Sequence, residues 1–151
     1  MTADPAVPPM SKKPELYTKD ILRLAASLPH DDRIAVPDAT ASRRSPLCGS
    51  EIAADVKYGP DGGIEALAFR ARACAMGQAS AAALRMLGIG RDPGEIAAMR
   101  NALATALSGE QGFERCWPEL AVFEPARAHP ARHAAILLPY DAVLAAAEGK
   151  G

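Results

Sequence analysis

The sequence predicts an α+β domain: a small antiparallel sheet with helices packed on one face. Three observations carry this. Two alternating apolar runs, 51–58 and 64–72, flank the turn Gly59-Pro-Asp-Gly-Gly63 and read as a β-hairpin. Everything after the hairpin has helical character, and strands followed by helices is the α+β order. The chain has 151 residues, 49% of them hydrophobic, so one domain with its own core is expected.

Each element has a local reason. Residues 1–13 hold Pro5, Pro8 and Pro9 and no apolar period, and read as a flexible tail before a single domain over 14–149. Leu16, Ile21, Leu22, Ala25 and Leu28 fall on one stripe, which predicts a helix over 16–28 stopped by Pro29. A third strand is signalled weakly, at 33–36 or 39–45. In the hairpin, Ile52, Ala54, Val56 and Tyr58 share one face, answered by Leu67, Phe69 and Ala71. A hairpin alone is marginal, so helices must cover that face. Residues 75–88, rich in Ala, Leu and Met, form the first of these. Asp92-Pro-Gly-Glu95 starts the next, with Asp as N-cap and Glu three residues on, and Gly109 ends it. Residues 110–132, broken by Pro118, Pro125 and Pro130, are expected to be irregular. A last helix is expected over 136–148. With 33 alanines and 5% aromatic residues, the helices can pack closely around few large side chains.

Composition excludes several classes. Seventeen basic residues against eighteen acidic give a net charge of −1, which is not that of a basic nucleic-acid module or of a charge-driven disordered chain. No run approaches a membrane span, and the first residues have no signal-peptide core, so a cytoplasmic protein is expected. Three cysteines in such a chain do not suggest a disulfide framework.

The hairpin brings two of them together. Cys48 precedes its first strand and Cys74 follows its second. Pairing symmetric about residue 61 sets 48 opposite 74. The apolar faces fit better with the register shifted by one, matching Val56 with Leu67, which a bulge near the loop allows. In either register both thiols lie at the open end, about 5 Å apart across the strands. Cys74 also opens a helix, whose dipole favours a thiolate, and Arg43, Arg44, Arg70 and Arg72 add positive charge nearby. Adjacent activated thiols suit a soft metal, an iron–sulfur unit or persulfide chemistry. Two buried core cysteines are the alternative.

Around these thiols the residues resemble a known family. Ser45-Pro-Leu-Cys-Gly-Ser50, a hairpin, then Ala73-Cys-Ala-Met-Gly-Gln-Ala-Ser80 is similar to the iron–sulfur cluster assembly scaffolds of the IscU, SufU and NifU N-terminal type. The resemblance runs from about Leu16 to Ala147. It implies assembly of a 2Fe–2S cluster on three cysteines and an Asp, sulfur from a cysteine desulfurase, and transfer of the cluster to acceptor apo-proteins; some members bind zinc at the same place. Cys48 and Cys74 match the first two ligands. The family's Cys-Gly-Asp is Cys48-Gly49-Ser50 here, and Glu51, next along, would point to the other strand face. Matching Pro130-Ala-Arg132 and Asp141-Ala142 to the family's C-terminal segment puts Ala135 at the third cysteine. The Leu-Pro-Pro-Val-Lys segment of some members is absent. The resemblance thus implies a divergent branch with an incomplete ligand set.

His133, two residues before Ala135, is a candidate replacement ligand, since imidazole binds zinc and iron; an exposed loop histidine is the plainer reading. Cys116, beside the only tryptophan, is expected to pack rather than ligate. His30 and His129 receive no role. Gly77, Ala79 and Ala81–Ala83 make a small-residue helix face suited to close packing. Arg70 and Arg72 read as a solvated strand face, with partner docking as the second reading. No phosphate loop or Ser-His-Asp context is present. The sequence therefore predicts a non-enzymatic scaffold for a 2Fe–2S cluster on Cys48 and Cys74. The alternatives are a degenerate scaffold that accepts sulfane sulfur, binds zinc or acts as an adaptor, and a purely structural domain.

Overall fold

The computed structural model describes residues 15–47 and 49–150. The expected N-terminal tail and Cys48 therefore lie outside the described residues.

Helix α1 spans Lys19–Ser27. It begins three residues later than the apolar stripe suggested because Thr18 caps it, its hydroxyl accepting from the Ile21 amide at 3.2 Å. Leu16 and Tyr17 still pack on the core from outside the helix. Strand β1 is Ala39–Arg44, the second of the two expected positions. Strands β2 (Glu51–Tyr58) and β3 (Ile64–Arg72) match the expected hairpin residue for residue. The sheet order is β1-β2-β3, antiparallel throughout. Val56 pairs with Leu67, as the apolar faces required, and an irregularity between Lys57 and Tyr58 takes up the odd residue. The hairpin turn needs Gly62, whose φ is +87°.

Ile52, Ala54, Val56, Leu67 and Phe69 form the inner sheet face and are at most 5% exposed. Helices α2 (Ala75–Leu87) and α4 (His133–Lys150) pack on it. They approach closely because small residues meet. A Cβ on Gly77 would stand 2.9 Å from the Ala73 Cβ and 3.7 Å from the Ala135 Cβ. Beside this contact the buried Ser80 hydroxyl donates to the Ile136 carbonyl at 2.5 Å. Pro139, inside α4, has no amide to offer the Ala135 carbonyl four residues back. Helix α3 (Pro93–Ser108) carries the expected capping box, Glu95 amide to Asp92 at 2.9 Å and Asp92 amide to Glu95 at 3.1 Å. It ends at left-handed Gly109.

Two expectations for the C-terminal half are corrected. Residues 110–132 are not irregular but mostly 3-10 helical, over Phe113–Arg115, Pro118–Ala128 and Pro130–Arg132. Leu120, Phe123 and Ala126 are buried at a spacing of three, the period of a 3-10 turn. The last helix begins at His133, not Ile136, because the third 3-10 turn runs straight into it.

The outer sheet face is polar and partly covered. Residues 32–38 cross it as a strap. The Asp32 carboxylate meets Arg85 of α2 at 3.5 Å, and its carbonyl accepts from Arg70 of β3 at 2.9 Å. The Ile34 amide donates to Asp55 of β2 at 3.0 Å, and the chain then enters β1 on the far side of β2. Under the strap, Arg70 and Asp55 pair at 2.9 Å with side chains 15% and 3% exposed. Arg70 is therefore a largely covered structural cation rather than part of a solvated face. No helix among the described residues is long and apolar enough to cross a membrane.

Candidate cluster-binding site

The β2–β3 ladder ends on the pair Glu51 and Arg72. Beyond it, one strand leads back to Ser50 and Gly49 and the other forward to Ala73 and Cys74. Cys74 is the N-cap of α2, with φ −65° and ψ 169°, and its side chain makes no capping hydrogen bond. It is half-buried. Its backbone is pinned: the Cys74 carbonyl accepts from the Gln78 amide at 3.0 Å, and the Gln78 side chain donates to the Ala73 carbonyl at 2.8 Å. The thiol thus stands on a rigid strand-to-helix junction.

Across from it, a tight turn is closed by the Ser45 amide to the Ser50 carbonyl and the Gly49 amide to the Ser45 carbonyl, both at 2.8 Å. Gly49 has φ +71°, the left-handed region that favours glycine. Leu47 is 80% exposed. The Ser45 hydroxyl is buried with no hydrogen-bond partner among the described residues.

The remaining candidates separate. Ser50 is buried on the inner side of the sheet, in phase with Ile52. Glu51 points to the outer face, as the alternation of a strand requires. There it accepts from Arg44 and from the Ser42 hydroxyl, each at 3.3 Å. Ala135 is fully buried against Gly77, in the first turn of the helix that Cys74 caps. The position matched to the third cysteine therefore lies beside the candidate site but presents a methyl group. His133 is two residues earlier on α4, about 200° around a helix of 3.6 residues per turn. Its Nε2 donates to the Ala126 carbonyl at 2.7 Å, so Nδ1 is the only ring nitrogen left to serve as a ligand. Cys116 is 7% exposed and packs in the core, as expected. Burial, and then the charge of Glu114, push its thiol up. Trp117, next to it, stacks under Arg91 at 4.9 Å and lies 6.5 Å from the Tyr140 ring. Among the described residues no three His, Cys, Asp or Glu side chains gather as a metal site. Of the arginines expected to add charge, Arg70 is neutralised by Asp55 and Arg44 by Glu51. Arg43 and Arg72 remain exposed.

Solved structures share this architecture. A nitrogen-fixing NifU-like protein (N-terminal) from Brucella abortus is 34% identical, over 88% of this chain and 92% of that one, with a TM-score of 0.77. The chain belongs to the IscU, SufU and NifU N-terminal scaffold family. A second structure of this scaffold fold is the putative iron–sulfur cluster assembly scaffold protein for the SUF system from Fervidobacterium islandicum. It is 20% identical over 87% of this chain and 96% of that one, with a TM-score of 0.79. A hypothetical protein, 22% identical over 88% and 97%, has the same fold at a TM-score of 0.76. No family model and no curated protein matches the chain.

The pair that the sequence reading missed is Asp55 and Arg70. A signal existed. Asp55 sits between two core residues of β2, and with Val56 opposite Leu67 it lies diagonal to Arg70, within reach of a long side chain.

Proposed function

We propose that this NifU-like chain is a scaffold on which an iron–sulfur cluster of the 2Fe–2S type is assembled and handed on. It would work in the cytoplasm and turn over no small molecule. The observation that supports this most directly is Cys74 on a rigid junction at the open end of the hairpin, in a chain 34% identical to a NifU-like protein. Cys48 and Cys74 act as thiolate ligands and as sulfur acceptors. A cysteine desulfurase presents a persulfide; a scaffold thiolate attacks its outer sulfur, and the donor's inner sulfur leaves as thiolate. A two-electron reductant, such as external thiols, then converts each persulfide sulfur to the sulfide that the cluster needs, and the cluster passes to acceptor apo-proteins.

Two thiolates do not fill the four positions of a 2Fe–2S cluster. His133 through Nδ1, Ser50 or Glu51, a second protomer or an external thiol complete the set. A cluster so held is labile, which suits transfer.

Ala135, buried where the family has a cysteine, favours a second reading: a degenerate scaffold that accepts sulfane sulfur, holds zinc or serves as an adaptor without a cluster. Anaerobic reconstitution with ferrous iron, a desulfurase and cysteine separates the two. The first reading expects visible cluster absorption with matching iron and sulfide, lost in Cys48→Ser and in Cys74→Ser. Iron and sulfide at background in the wild type would leave the second.

A further inference from the structure

A cleft of about 330 Å³ opens on the outer sheet face, between the strap and the end of the hairpin that leads to Cys74. Its floor is small because Ala53 lies at the middle of the sheet. Around that floor stand Asp31, just before the strap, Arg33 within it, Ser42 of β1, Glu51 of β2, and Arg70 and Arg72 of β3.

The charges divide into used and unused. Glu51 is held by Arg44 and Ser42, and Arg70 by Asp55 and the Asp32 carbonyl. Arg33 and Arg72 are exposed, and their side chains make no hydrogen bond or ion pair with another described residue. Asp31, which also lines the cleft and has φ +49°, is likewise unpaired. Two free guanidiniums and one free carboxylate therefore line the cleft, an excess of one unbalanced positive charge. The chain as a whole carries −1, so this is local chemistry and not general attraction for anions.

We propose that this cleft docks an acidic peptide segment of a partner protein. A peptide matches the pattern better than a bare anion. Its carboxylate meets the forks of Arg33 and Arg72, the geometry guanidinium favours. Its backbone N–H groups meet Asp31 and the Ser42 hydroxyl. Arg72 is two residues from Cys74, so a partner seated here has its bulk beside the thiol. The proposal stands whether or not a cluster is assembled.

The test uses the full chain without iron or sulfide. A fluorescein-labelled oligoglutamate peptide is titrated with protein and followed by anisotropy, with amide shifts read at Ala53 and Arg72. The double variant Arg33→Glu with Arg72→Glu is expected to weaken binding by about tenfold or more, the loss of two charge-assisted contacts. It should also flatten the salt dependence while the circular dichroism stays unchanged. Arg23→Glu, on α1 and exposed, is expected to bind as the wild type does. Absence of wild-type binding, an unaffected double variant, or equal loss in Arg23→Glu would each overturn the proposal. So would displacement of the peptide by free glutamate or inorganic phosphate at equal concentration, which marks a small-anion site instead.

Discussion

A single buried carboxylate, Asp55, holds the outer sheet face in order. Burial by itself raises its pKa. Hydrogen bonds from Arg70, the Ile34 amide and Thr40, with the Arg70 charge, outweigh that and hold the carboxyl below its usual range. The sign follows. A depressed folded pKa adds stability above the unfolded value of about 3.8, and that stability is lost as pH falls through the folded pKa. Denaturant midpoints of the wild type should therefore drop below about pH 4 more steeply than those of Asp55→Asn. Arg70→Met leaves the carboxylate buried without its cation, and a loss of about 3–5 kcal/mol is expected in urea unfolding at neutral pH. The cysteines separate at this scale too. Half-buried Cys74 should alkylate in the native protein at pH 8, while Cys116, buried and with its thiol pushed up, should be labelled only after unfolding. Peptide mapping by mass spectrometry reads both.

Among the elements, helix α2 buries eight residues and has little room for added volume. Gly77→Ala gains about 1 kcal/mol of helix propensity. The added methyl, however, falls 2.9 Å from the Ala73 Cβ, closer than carbon atoms tolerate. Overpacking costs about 1–3 kcal/mol, so a net loss is expected in thermal unfolding, and a larger one for Gly77→Val. Elements with a strong period were legible beforehand. The hairpin was read to the residue because alternation and a Gly-rich turn agree. Helix α3 was read from its cap. The 3-10 segment Pro118–Ala128 was not, because three prolines between 110 and 132 mimic a loop and the buried spacing of three fits neither a helix nor a strand template. Phe123 is fully buried there, and Phe123→Ala should cost about 3–5 kcal/mol.

For the whole molecule, the order of elements and the cysteines flanking the hairpin were enough to indicate the scaffold family. The site was legible only in part. The hairpin put Cys74 at the open end, and the resemblance to the family put Ala135 at the matched third position. Neither could show that Ala135 touches the helix Cys74 caps, because that contact spans two elements far apart in sequence. Under the proposed function, Ala135→Cys returns a thiol to that place. Its reconstituted cluster should survive a chelator several-fold longer than the wild type's, followed by loss of visible absorption. The strap has a consequence in time as well as in space. Its anchors, Asp55 and Arg70, reach their places only when β2 and β3 have paired, and Asp32 further requires Arg85 of α2. A segment that leaves the ribosome early must wait for one made some fifty residues later. In pulse-labelled hydrogen exchange during refolding, the Ile34 amide should gain protection after the hairpin amides and never before them.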